Sequence, residues 1–481
     1  MIVLKFGGTS VGTLAKVRDS ATIITQQPLP RAAVVSAASG VTNLLLEAAA
    51  HAADGNQGDC AHVVSLIVAK HTTIADGIGD ADQRAGAVAI LDQLHAALRT
   101  NLDQVAAAGE LSRELSDRIV ATGEKAMSTI LAALLRAQGT PAVHVWADSV
   151  IATDDRFGNA RPNRDKTREQ AAVQVLPHLQ AGATVIMTGF IGGTEDGRTT
   201  TLGRGGSDYS ATLLGAAIDA DEVQIWTDVP GVLSADPRQI PEARVVPAIS
   251  YDEAQELAHF GAKVLHPRTI RPAVARGIPV RILSTFAPYE RGTVVQRTSA
   301  DRRIKAVTAM KGLMLLQIDV PELEDLSGAA GTVFQQLHLG RVEVVHAAQA
   351  SSRRRMTYLV DGASAGWCAV TVRNLDAALE DFEAEVNCNE DVALVAAVGE
   401  GAADRPETLG KMMDVLRRAG IPVLGSSQQT SNVALIVVVP AARAQQAVEV
   451  VHEAFIGSQA GSARGRTPRR KRMIRESVQV G

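Results

Sequence analysis

Residues 1–10 read MIVLKFGGTS. The run Ile2–Phe6 is short and apolar apart from Lys5, which predicts a buried β-strand. The glycines at positions 7 and 8 let the backbone N–H groups of a loop approach a polyphosphate closely, and a lysine at the end of the strand can meet the phosphate charge. The stretch therefore predicts a strand that leads directly into a phosphate-binding loop.

The same organisation recurs up to about residue 298. Short β-branched runs alternate with long helical stretches rich in alanine and leucine, which is typical of strands and crossover helices in a largely parallel sheet. Open α/β sheets bind ligands outside the carboxyl ends of their strands, so the loops that follow the strands are candidate site segments. The predicted strands are Ile2–Phe6, Ala32–Ser36, Ala142–Trp146, Thr184–Thr188, Glu222–Thr227 and Pro279–Leu283, and the predicted helices include Glu124–Gln138 and Asp208–Ala220.

The last third of the chain contains an internal repeat that follows the polar stretch Gln296–Lys305. With an offset of 79 residues, Gln349 aligns with Gln428, and apolar positions match across the whole unit. Each copy reads as a small βαββ-type α+β unit, which gains stability when two copies pair. We predict a catalytic domain over 1–298, repeat domains over 304–385 and 390–457, and a basic tail over 458–481.

Composition excludes several classes of protein. The chain has 481 residues, of which 46% are hydrophobic and 21% charged, and this excludes a disordered, collagenous or coiled-coil protein. Its three cysteines lack ligand spacing, so neither a disulfide framework nor a zinc module is predicted. The apolar N-terminal run is too short for a signal peptide, and no later run reaches membrane-spanning length, so we expect a cytoplasmic protein.

The overall net charge is −4, whereas the C-terminal tail is strongly basic. A basic run of this kind can contact nucleic acid, but glycine, serine and proline interrupt it, so we expect a solvated tail and no specific nucleic-acid site. The basic residues are Arg464, Arg466, Arg469, Arg470, Lys471, Arg472 and Arg475.

Four further loops carry polar motifs. They read SAASGVTN at 36–43, GRGGSD at 203–208, WTDVPG at 226–231 and FGAKVLHP at 260–267. An arginine suits capture of a substrate carboxylate, and a carboxylate beside phosphates suits magnesium coordination. The chain contains no GxxxxGK[ST] string, and residues 203–208 lack the third glycine of a dinucleotide fingerprint. The loops therefore indicate phosphoryl transfer on a substrate that carries a carboxylate, at a site without a Walker A loop.

Taken together, these five segments resemble the signature segments of the aspartate kinase family, and the duplicated unit resembles that family's pair of ACT domains. The resemblance extends to about residue 457. It implies an α/β amino acid kinase fold, an open and mostly parallel sheet sandwiched by helices, followed by two α+β ACT domains of ferredoxin-like type.

The resemblance also implies a function. A transferase of this family uses ATP and Mg²⁺ to phosphorylate the side-chain carboxylate of L-aspartate to 4-phospho-L-aspartate, the first step of lysine, threonine and methionine biosynthesis. Feedback by lysine and/or threonine at the ACT domains and a homo-oligomer formed through them are expected. Because the chain ends after the ACT pair, a monofunctional enzyme is expected.

The resemblance assigns a role to each matching residue. The catalytic residues are Lys5, Gly8 and Asp208. The aspartate-binding residues are Thr42, Glu124, Arg204 and Ser207, with Arg204 on the α-carboxylate and Glu124 facing the α-ammonium. The nucleotide-binding residues are Lys5, Gly7, Gly8, Ser36, Thr227, Asp228, Leu233, Arg238 and Lys263. The effector-binding residues are Asp325, Ser327, Gly331, His346 and Gln349.

The chain departs from the family pattern at two places in the catalytic domain. Leu233 stands where the family commonly has a tyrosine, which predicts altered nucleotide binding. The segment Gly123–Ser128 has one extra residue before its serine, and Lys125 adds a positive charge next to Glu124. Two alternatives stay open: a kinase for another amino acid carboxylate, and a non-catalytic ACT subunit that senses amino acids. Turnover by the protein alone distinguishes the latter.

Overall fold

The structure is a computed structural model that describes residues 1–261, 266–321, 326–350, 354–362, 367–401, 404–428 and 432–457. The chain divides into two compact units. The first comprises Met1–Leu233 and Arg244–Ala300, and the second comprises Ser234–Ala243 and the described residues from Asp301 onward. Within these described ranges, no helix is long and apolar enough to span a bilayer.

The first unit is an α/β structure whose described residues form ten strands and ten α-helices. Its strands are β1 (Ile2–Phe6), β2 (Arg31–Val35), β3 (Ala142–Val145), β4 (Thr184–Thr188), β5 (Ile191–Gly193), β6 (Thr199–Thr201), β7 (Glu222–Thr227), β8 (Ala248–Ser250), β9 (Val280–Ser284) and β10 (Thr293–Gln296). Its helices are α1 (Leu14–Gln26), α2 (Val41–Ala53), α3 (Gln57–Ala75), α4 (Ala81–Ala108), α5 (Arg113–Ala137), α6 (Arg164–Gln174), α7 (Leu176–Gln180), α8 (Gly206–Ala217), α9 (Tyr251–His259) and α10 (Pro267–Arg276).

An eight-stranded sheet forms the centre of this unit, with the strand order β3-β4-β2-β1-β7-β9-β10-β8. The six strands from β3 to β9 run parallel, and β10 pairs with β9 in the antiparallel direction. β2 and β4 are buried along their whole length, which explains their nearly unbroken apolar sequences. The predicted α/β fold class is confirmed, and all six predicted strands form within one residue of their predicted bounds.

The register brings three loops to one edge of the sheet. Phe6 of β1 lies opposite Val35 of β2 and Trp226 of β7. These strands therefore end at the same level, and the loops that follow them leave the sheet side by side. This is the carboxyl edge at which open parallel sheets bind ligands.

The helix that carries Glu124 is longer than predicted. α5 begins at Arg113, after Ser112, whose hydroxyl caps it by accepting from the Leu115 N–H. The prediction of a helix start at Glu124 is wrong because Gly123 lies inside the helix. A Cβ at position 123 would come within 2.7 Å of the Ala37 Cβ. The glycine thus lets α5 pack closely on the loop after β2, and this brings Glu124 to that loop.

The second unit is built on a six-stranded antiparallel sheet with the order β12-β13-β11-β14-β16-β15. Its strands are β11 (Ala306–Asp319), β12 (Val344–Ala350), β13 (Arg355–Asp361), β14 (Glu385–Val398), β15 (Gly425–Gln428) and β16 (Ala434–Pro440). Its helices are α11 (Leu326–Leu339), α12 (Trp367–Ala378), α13 (Pro406–Arg418) and α14 (Ala444–His452).

Two apolar cores lie along this second sheet, and β11 contributes to both. Val307, in its first part, belongs to the core that contains Val395 and Val437, whereas Leu316, in its second part, belongs to the other core, with Val333. The repeat therefore folds as two interleaved α+β modules joined by two long central strands, β11 and β14. The boundaries 304–385 and 390–457 stay predictions.

Residues 234–243 are also part of the second unit. Ala235 and Ile240 are buried in the core that contains Val395 and Val437. The Ser234 hydroxyl and the His452 Nε2 are 2.9 Å apart in a buried hydrogen bond, and the Ser234 carbonyl accepts from the Val307 N–H. Ten residues that lie within the predicted catalytic domain by sequence thus fold with the strands of the second unit.

Candidate active site

A cavity of about 610 Å³ opens at the carboxyl edge of the large sheet. Five segments contribute to its described lining: the end of β1, the loop after β2 with the start of α2, one residue of α5, Phe190 after β4, and the loop that enters α8. Of the predicted site residues, the cavity is lined by Lys5, Gly7, Gly8, Ser36, Thr42, Glu124, Arg204, Ser207 and Asp208. The structure therefore brings together every predicted catalytic and aspartate-binding residue.

Lys5 and Asp208 form an ion pair in the cavity wall. The Lys5 Nζ lies 2.7 Å from the Asp208 Oδ1, and the two side chains are 12% and 19% exposed. Lys5 comes from the middle strand of the site and Asp208 from the first turn of α8, so the pair joins two segments that are distant in sequence. A cation and a carboxylate held side by side in a partly buried site suit the handling of phosphate and of phosphate-bound metal.

The glycine at position 8 is required by a close approach of two loops. A Cβ there would lie 2.9 Å from the Ala37 carbonyl oxygen, and the Ser39 N–H donates to the Gly8 carbonyl at 3.1 Å. The loops after β1 and β2 are thereby tied together. Any larger residue at position 8 would push apart the two loops that line the cavity.

Two serines connect the loop after β2 with the start of α8. The Ser36 hydroxyl donates to the Ser207 hydroxyl at 2.9 Å. A Cβ at Gly189 would come within 2.7 Å of the Ser207 side chain, so a glycine at that position makes room for the contact. Thr42 is the second residue of α2 and lines the cavity, whereas Gly40, in a left-handed conformation with φ 83°, occupies the N-cap.

Glu124 is a buried carboxyl group that faces the cavity. It is 3% exposed, and its Oε2 makes no hydrogen bond within the part of the chain that the structure describes. Burial raises the pKa of Glu124 to about 8, although a hydrogen bond from the Ala37 N–H opposes the shift. Arg204 lines the same cavity with an exposed side chain. A carboxylate and a guanidinium on one cavity can bind the ammonium and carboxylate of an amino acid.

The additional charge of Lys125 does not enter this cavity. Its Nζ pairs with the Asp148 carboxylate at 2.6 Å and lies 4.7 Å from the centre of the Trp146 ring. One residue rotates the helix by about 100°, which turns Lys125 away from Glu124. The Ser128 hydroxyl donates to the Lys125 carbonyl and is fully buried. The side chains of Lys125 and Ser128, where the chain departs from the family pattern, therefore make their contacts on sides of α5 that do not line the cavity.

Three further predicted nucleotide residues lie at the end of β7 or in the segment that follows it. Thr227 ends β7, and its hydroxyl donates to the Asp228 carboxylate at 3.2 Å. Leu233 is half-buried and pairs through a β-bridge with Val245. These three residues are absent from the described lining of the cavity. They belong to the first unit, on the β7 side of β1.

The two remaining predicted nucleotide residues are Arg238 and Lys263. Arg238 belongs to the second unit, where it is exposed and pairs with Asp236 at 2.7 Å. Lys263 lies outside the described residues. The roles of both residues stay predictions.

The predicted effector residues are distributed over two elements of the second unit. Ser327 and Gly331 lie in α11, and His346 and Gln349 lie on β12, one of the two edge strands of the described sheet. Because α11 begins at Leu326, Ser327 and Gly331 are both helical. Burial lowers the pKa of His346. Asp325 lies outside the described residues.

Sequence reasoning missed Phe190 as a lining residue. It lines the cavity directly after Gly189, beyond the end of β4, in a left-handed conformation with φ 69° that a bulky residue adopts at a cost. The signal was present, because β4 is one of the parallel strands whose carboxyl ends lead into site loops. The loop that holds Phe190 contains no charged residue, so no charge pattern marks it as a site segment.

Comparison with known proteins agrees with this geometry. The family model described as the amino acid kinase family matches residues 1–284, and an ACT domain model matches residues 395–455. The lysine-sensitive aspartokinase 3 of Escherichia coli (strain K12) is 32% identical over 458 residues, which cover 94% of this chain and 98% of that protein.

Two further similarities define the extent of the match. The bifunctional aspartokinase/homoserine dehydrogenase of Haemophilus influenzae is 30% identical over 95% of this chain, which spans 57% of that longer protein. The crystal structure of E. coli aspartokinase III in complex with aspartate and ADP has a TM-score of 0.76 and 30% identity, and the match covers 94% of this chain and 99% of that one. The chain thus belongs to the amino acid kinase family and, within it, to the aspartokinases that carry ACT domains.

Proposed function

We propose that the protein is an aspartate kinase that transfers the γ-phosphoryl group of ATP to the side-chain carboxylate of L-aspartate. The observation that carries the proposal is the single cavity that holds the Lys5–Asp208 ion pair together with Glu124 and Arg204. The similar E. coli structure contains aspartate and ADP, which supports the same pair of ligands for this chain.

Two groups recognise the amino acid in this proposal. Arg204 binds the α-carboxylate through charge-assisted hydrogen bonds, and Glu124 binds the α-ammonium. Because the Glu124 Oε2 is buried without a partner among the described residues, an ammonium group would supply the hydrogen bond that it lacks. Thr42 and Ser207, from two other segments of the cavity wall, complete the amino acid pocket.

The reaction joins one anion to another, so catalysis rests on positioning and on cations rather than on a strong base. A carboxylate oxygen of aspartate forms a bond to the γ-phosphorus while the bond from that phosphorus to the bridging oxygen of ADP breaks. No proton moves, because the aspartate side chain is already ionised at neutral pH. Lys5 stabilises the negative charge on the transferring group, and the backbone at Gly7 and Gly8 holds the phosphates.

Magnesium fits the chemistry of the Asp208 carboxylate. Mg²⁺ prefers oxygen ligands and is commonly held by one or two carboxylates together with substrate phosphates. Asp208 would hold the ion in this site, and the ion would neutralise phosphate charge. Asp208 also orients the Lys5 ammonium, since the two groups are in direct contact.

We further propose feedback regulation through the second unit by lysine and/or threonine, and a homo-oligomer formed through the ACT modules. The ACT match at residues 395–455 and the lysine sensitivity stated in the name of the E. coli relative support this part. The product would enter the synthesis of lysine, threonine and methionine.

The decisive experiment measures ADP release by the purified protein with Mg-ATP and L-aspartate, with hydroxylamine to trap the acyl phosphate. Parallel reactions contain lysine, threonine, or L-glutamate in place of aspartate. Aspartyl hydroxamate without glutamyl hydroxamate is expected, and inhibition would identify the effector. Binding of lysine or threonine without turnover on either substrate would overturn the proposal and favour an amino-acid-sensing subunit.

A further inference from the structure

Asp117 is a buried carboxyl group outside the cavity, on the helix that supplies Glu124. It is 2% exposed and lies seven positions before Glu124 on α5, which corresponds to about two turns and about 10 Å along the axis. The two carboxyl groups therefore lie on nearly the same side of one rigid helix. Glu124 faces the cavity, and Asp117 faces the segments that lead to it.

Three hydrogen bonds converge on the Asp117 carboxyl group. Its Oδ2 accepts from the backbone N–H groups of Gly158 and Thr201, each at 2.8 Å. Its Oδ1 accepts from the Thr201 hydroxyl, also at 2.8 Å. Burial raises the pKa of Asp117, and these hydrogen bonds oppose that shift. One side chain thus ties α5 both to the end of β6 and to the turn at Gly158.

Both of these attachments lead to Arg204. Thr201 is the last residue of β6, only three residues before Arg204. The turn at Gly158 and Asn159 packs against Gly203, where a Cβ would lie 2.8 Å from the Asn159 Oδ1. Gly203 has φ 77°, so its backbone conformation also favours glycine. Asp117 therefore anchors the strand that enters the Arg204 loop and the turn that supports it from the side.

The turn is held from its other side as well. The Arg268 guanidinium of α10 donates to the Asn159 side-chain oxygen and to the Ala160 carbonyl. Asn159 is thus fixed between α10 and Gly203, while Gly158 is fixed to α5 through Asp117. The hydrogen bond from the Gly158 N–H to Asp117 connects this turn to α5, the helix that carries Glu124.

We propose that Asp117 is a positioning residue that sets the separation between Glu124 and Arg204, and hence the affinity for the amino acid substrate. This inference rests on the proposed function, because it assigns those two residues to the α-ammonium and the α-carboxylate. Asp117 touches no reacting group. Its loss would leave the Lys5–Asp208 pair in place. The separation between Glu124 and Arg204, which the amino acid must span, would become larger or more variable.

The inference predicts a split between the two substrates. Asp117→Ala is expected to raise the KM for aspartate by about tenfold or more, because two backbone N–H groups lose a charged acceptor. The KM for ATP should stay within about twofold, since the phosphate side of the cavity is not attached to Asp117. Asp117→Asn should restore most of the affinity, because its amide oxygen can accept both N–H groups while its amide nitrogen donates to the Thr201 hydroxyl.

Two further variants keep the test decisive. Thr201→Val removes only the hydroxyl bond to Asp117, so a smaller rise in the aspartate KM is expected even if Asp117→Ala does not fold. Thr153→Val is the matched control: it removes a buried hydrogen bond of the Thr153 hydroxyl to Thr200, next to Thr201, without touching Asp117. Circular dichroism and thermal unfolding report the folded fraction of each variant.

The outcomes separate the inference from the proposed function. A wild-type protein that forms no aspartyl hydroxamate would remove the proposed function. A wild-type protein that is active, while Asp117→Ala and Thr201→Val keep its aspartate KM, would overturn the role of Asp117 alone. Two other results would also overturn the role of Asp117, because each would indicate a general loss of packing in this region. One is an equal rise in the KM values for ATP and aspartate in Asp117→Ala, and the other is a rise in the aspartate KM of Thr153→Val as large as that of Thr201→Val.

Discussion

The two units of this chain assemble their predicted sites in different ways. In the first unit, loops from distant parts of the sequence meet at one edge of a parallel sheet, and Lys5, Glu124 and Asp208 line one cavity. In the second unit, the predicted effector residues lie on α11 and on β12, an outermost strand whose other side pairs with no described strand. A parallel sheet brings functional side chains from distant parts of one chain to the same edge, whereas an antiparallel module leaves the backbone of its edge strand open to other contacts.

The largest expected effect tests whether the cavity acts as one unit. Lys5→Ala should lower kcat by about 10²–10³-fold or more at saturating substrates, because it removes the cation proposed to stabilise the transferring group. Asp208→Ala should lower kcat to a similar extent. Steady-state ADP release measures both. Lys16→Ala is the matched control, since Lys16 lies over the exposed Phe286 ring and does not line the cavity. Near-normal turnover in Lys5→Ala would remove that residue from the mechanism.

The next effect separates the amino acid side of the cavity from its phosphate side. Arg204→Ala should raise the KM for aspartate by about 10- to 100-fold, because a charge-assisted hydrogen bond to the α-carboxylate is lost. The KM for ATP should change by less than about threefold. Initial rates over a grid of both substrate concentrations give the two constants. Equal changes in both would contradict the carboxylate role of Arg204.

A smaller effect follows from the pKa of Glu124, which is raised to about 8. Below that pH the free carboxyl holds a proton, so aspartate binding should tighten as pH rises from 7 to 9, by up to about tenfold. Glu124→Gln should bind more weakly and show a flat profile over the same range. Isothermal titration of aspartate at several pH values measures this, and a pH-independent wild type would show that Glu124 does not titrate on binding.

The raised pKa of Glu124 predicts the opposite pH dependence for the stability of the fold: aspartate binding tightens as pH rises, whereas the stabilising contribution of Glu124 falls. The pKa of Glu124 is raised from 4.5 to about 8, so the folded state retains a proton that the unfolded state releases in this window. The contribution of this group to stability is full below pH 4.5 and is lost as pH rises through about 8. Urea unfolding of the wild type and of Glu124→Gln across this range should show a difference that changes steadily with pH.

The smallest expected effect concerns the second unit. His346→Ala should shift the concentration of lysine or threonine that gives half-inhibition by a few-fold, with kcat in the absence of effector unchanged. His338→Ala, in the last turn of α11, is the matched histidine control. Lowered turnover of His346→Ala in the absence of effector would contradict the separation of regulation from catalysis, because it would show that β12 contributes directly to catalysis.

The sequence predicted the large sheet well and the second unit less well. Strands buried on both faces form continuous apolar runs, and these are readable to within one residue. The hairpin of β5 and β6 was missed, since each strand has three residues made of glycine, isoleucine or threonine. The interleaving of the repeat was missed because β11 and β14 each run for 14 residues through two cores, whereas a repeat analysis assumes separate copies.

The candidate site shows the same division between local and long-range information. Lys5, Gly8 and Asp208 were readable because glycines and charges follow predicted strands. Asp117 was not, because a single acid in a charged helical stretch is typical of a solvated face, and its donors at Gly158 and Thr201 lie 41 and 84 residues away. No periodicity reports contacts of that range.

The placement of Ser234–Ala243 has a consequence for dissecting the protein. A fragment that ends at Ala300 would carry this segment without the strands and helix that cover it. Ala235 and Ile240 would then face water, and Ser234 would lose its contact with His452. The boundary between the two units therefore does not lie at a single position in the sequence. A chimaera that exchanges regulatory modules between aspartokinases should transplant two stretches of sequence, with these ten residues as the shorter one.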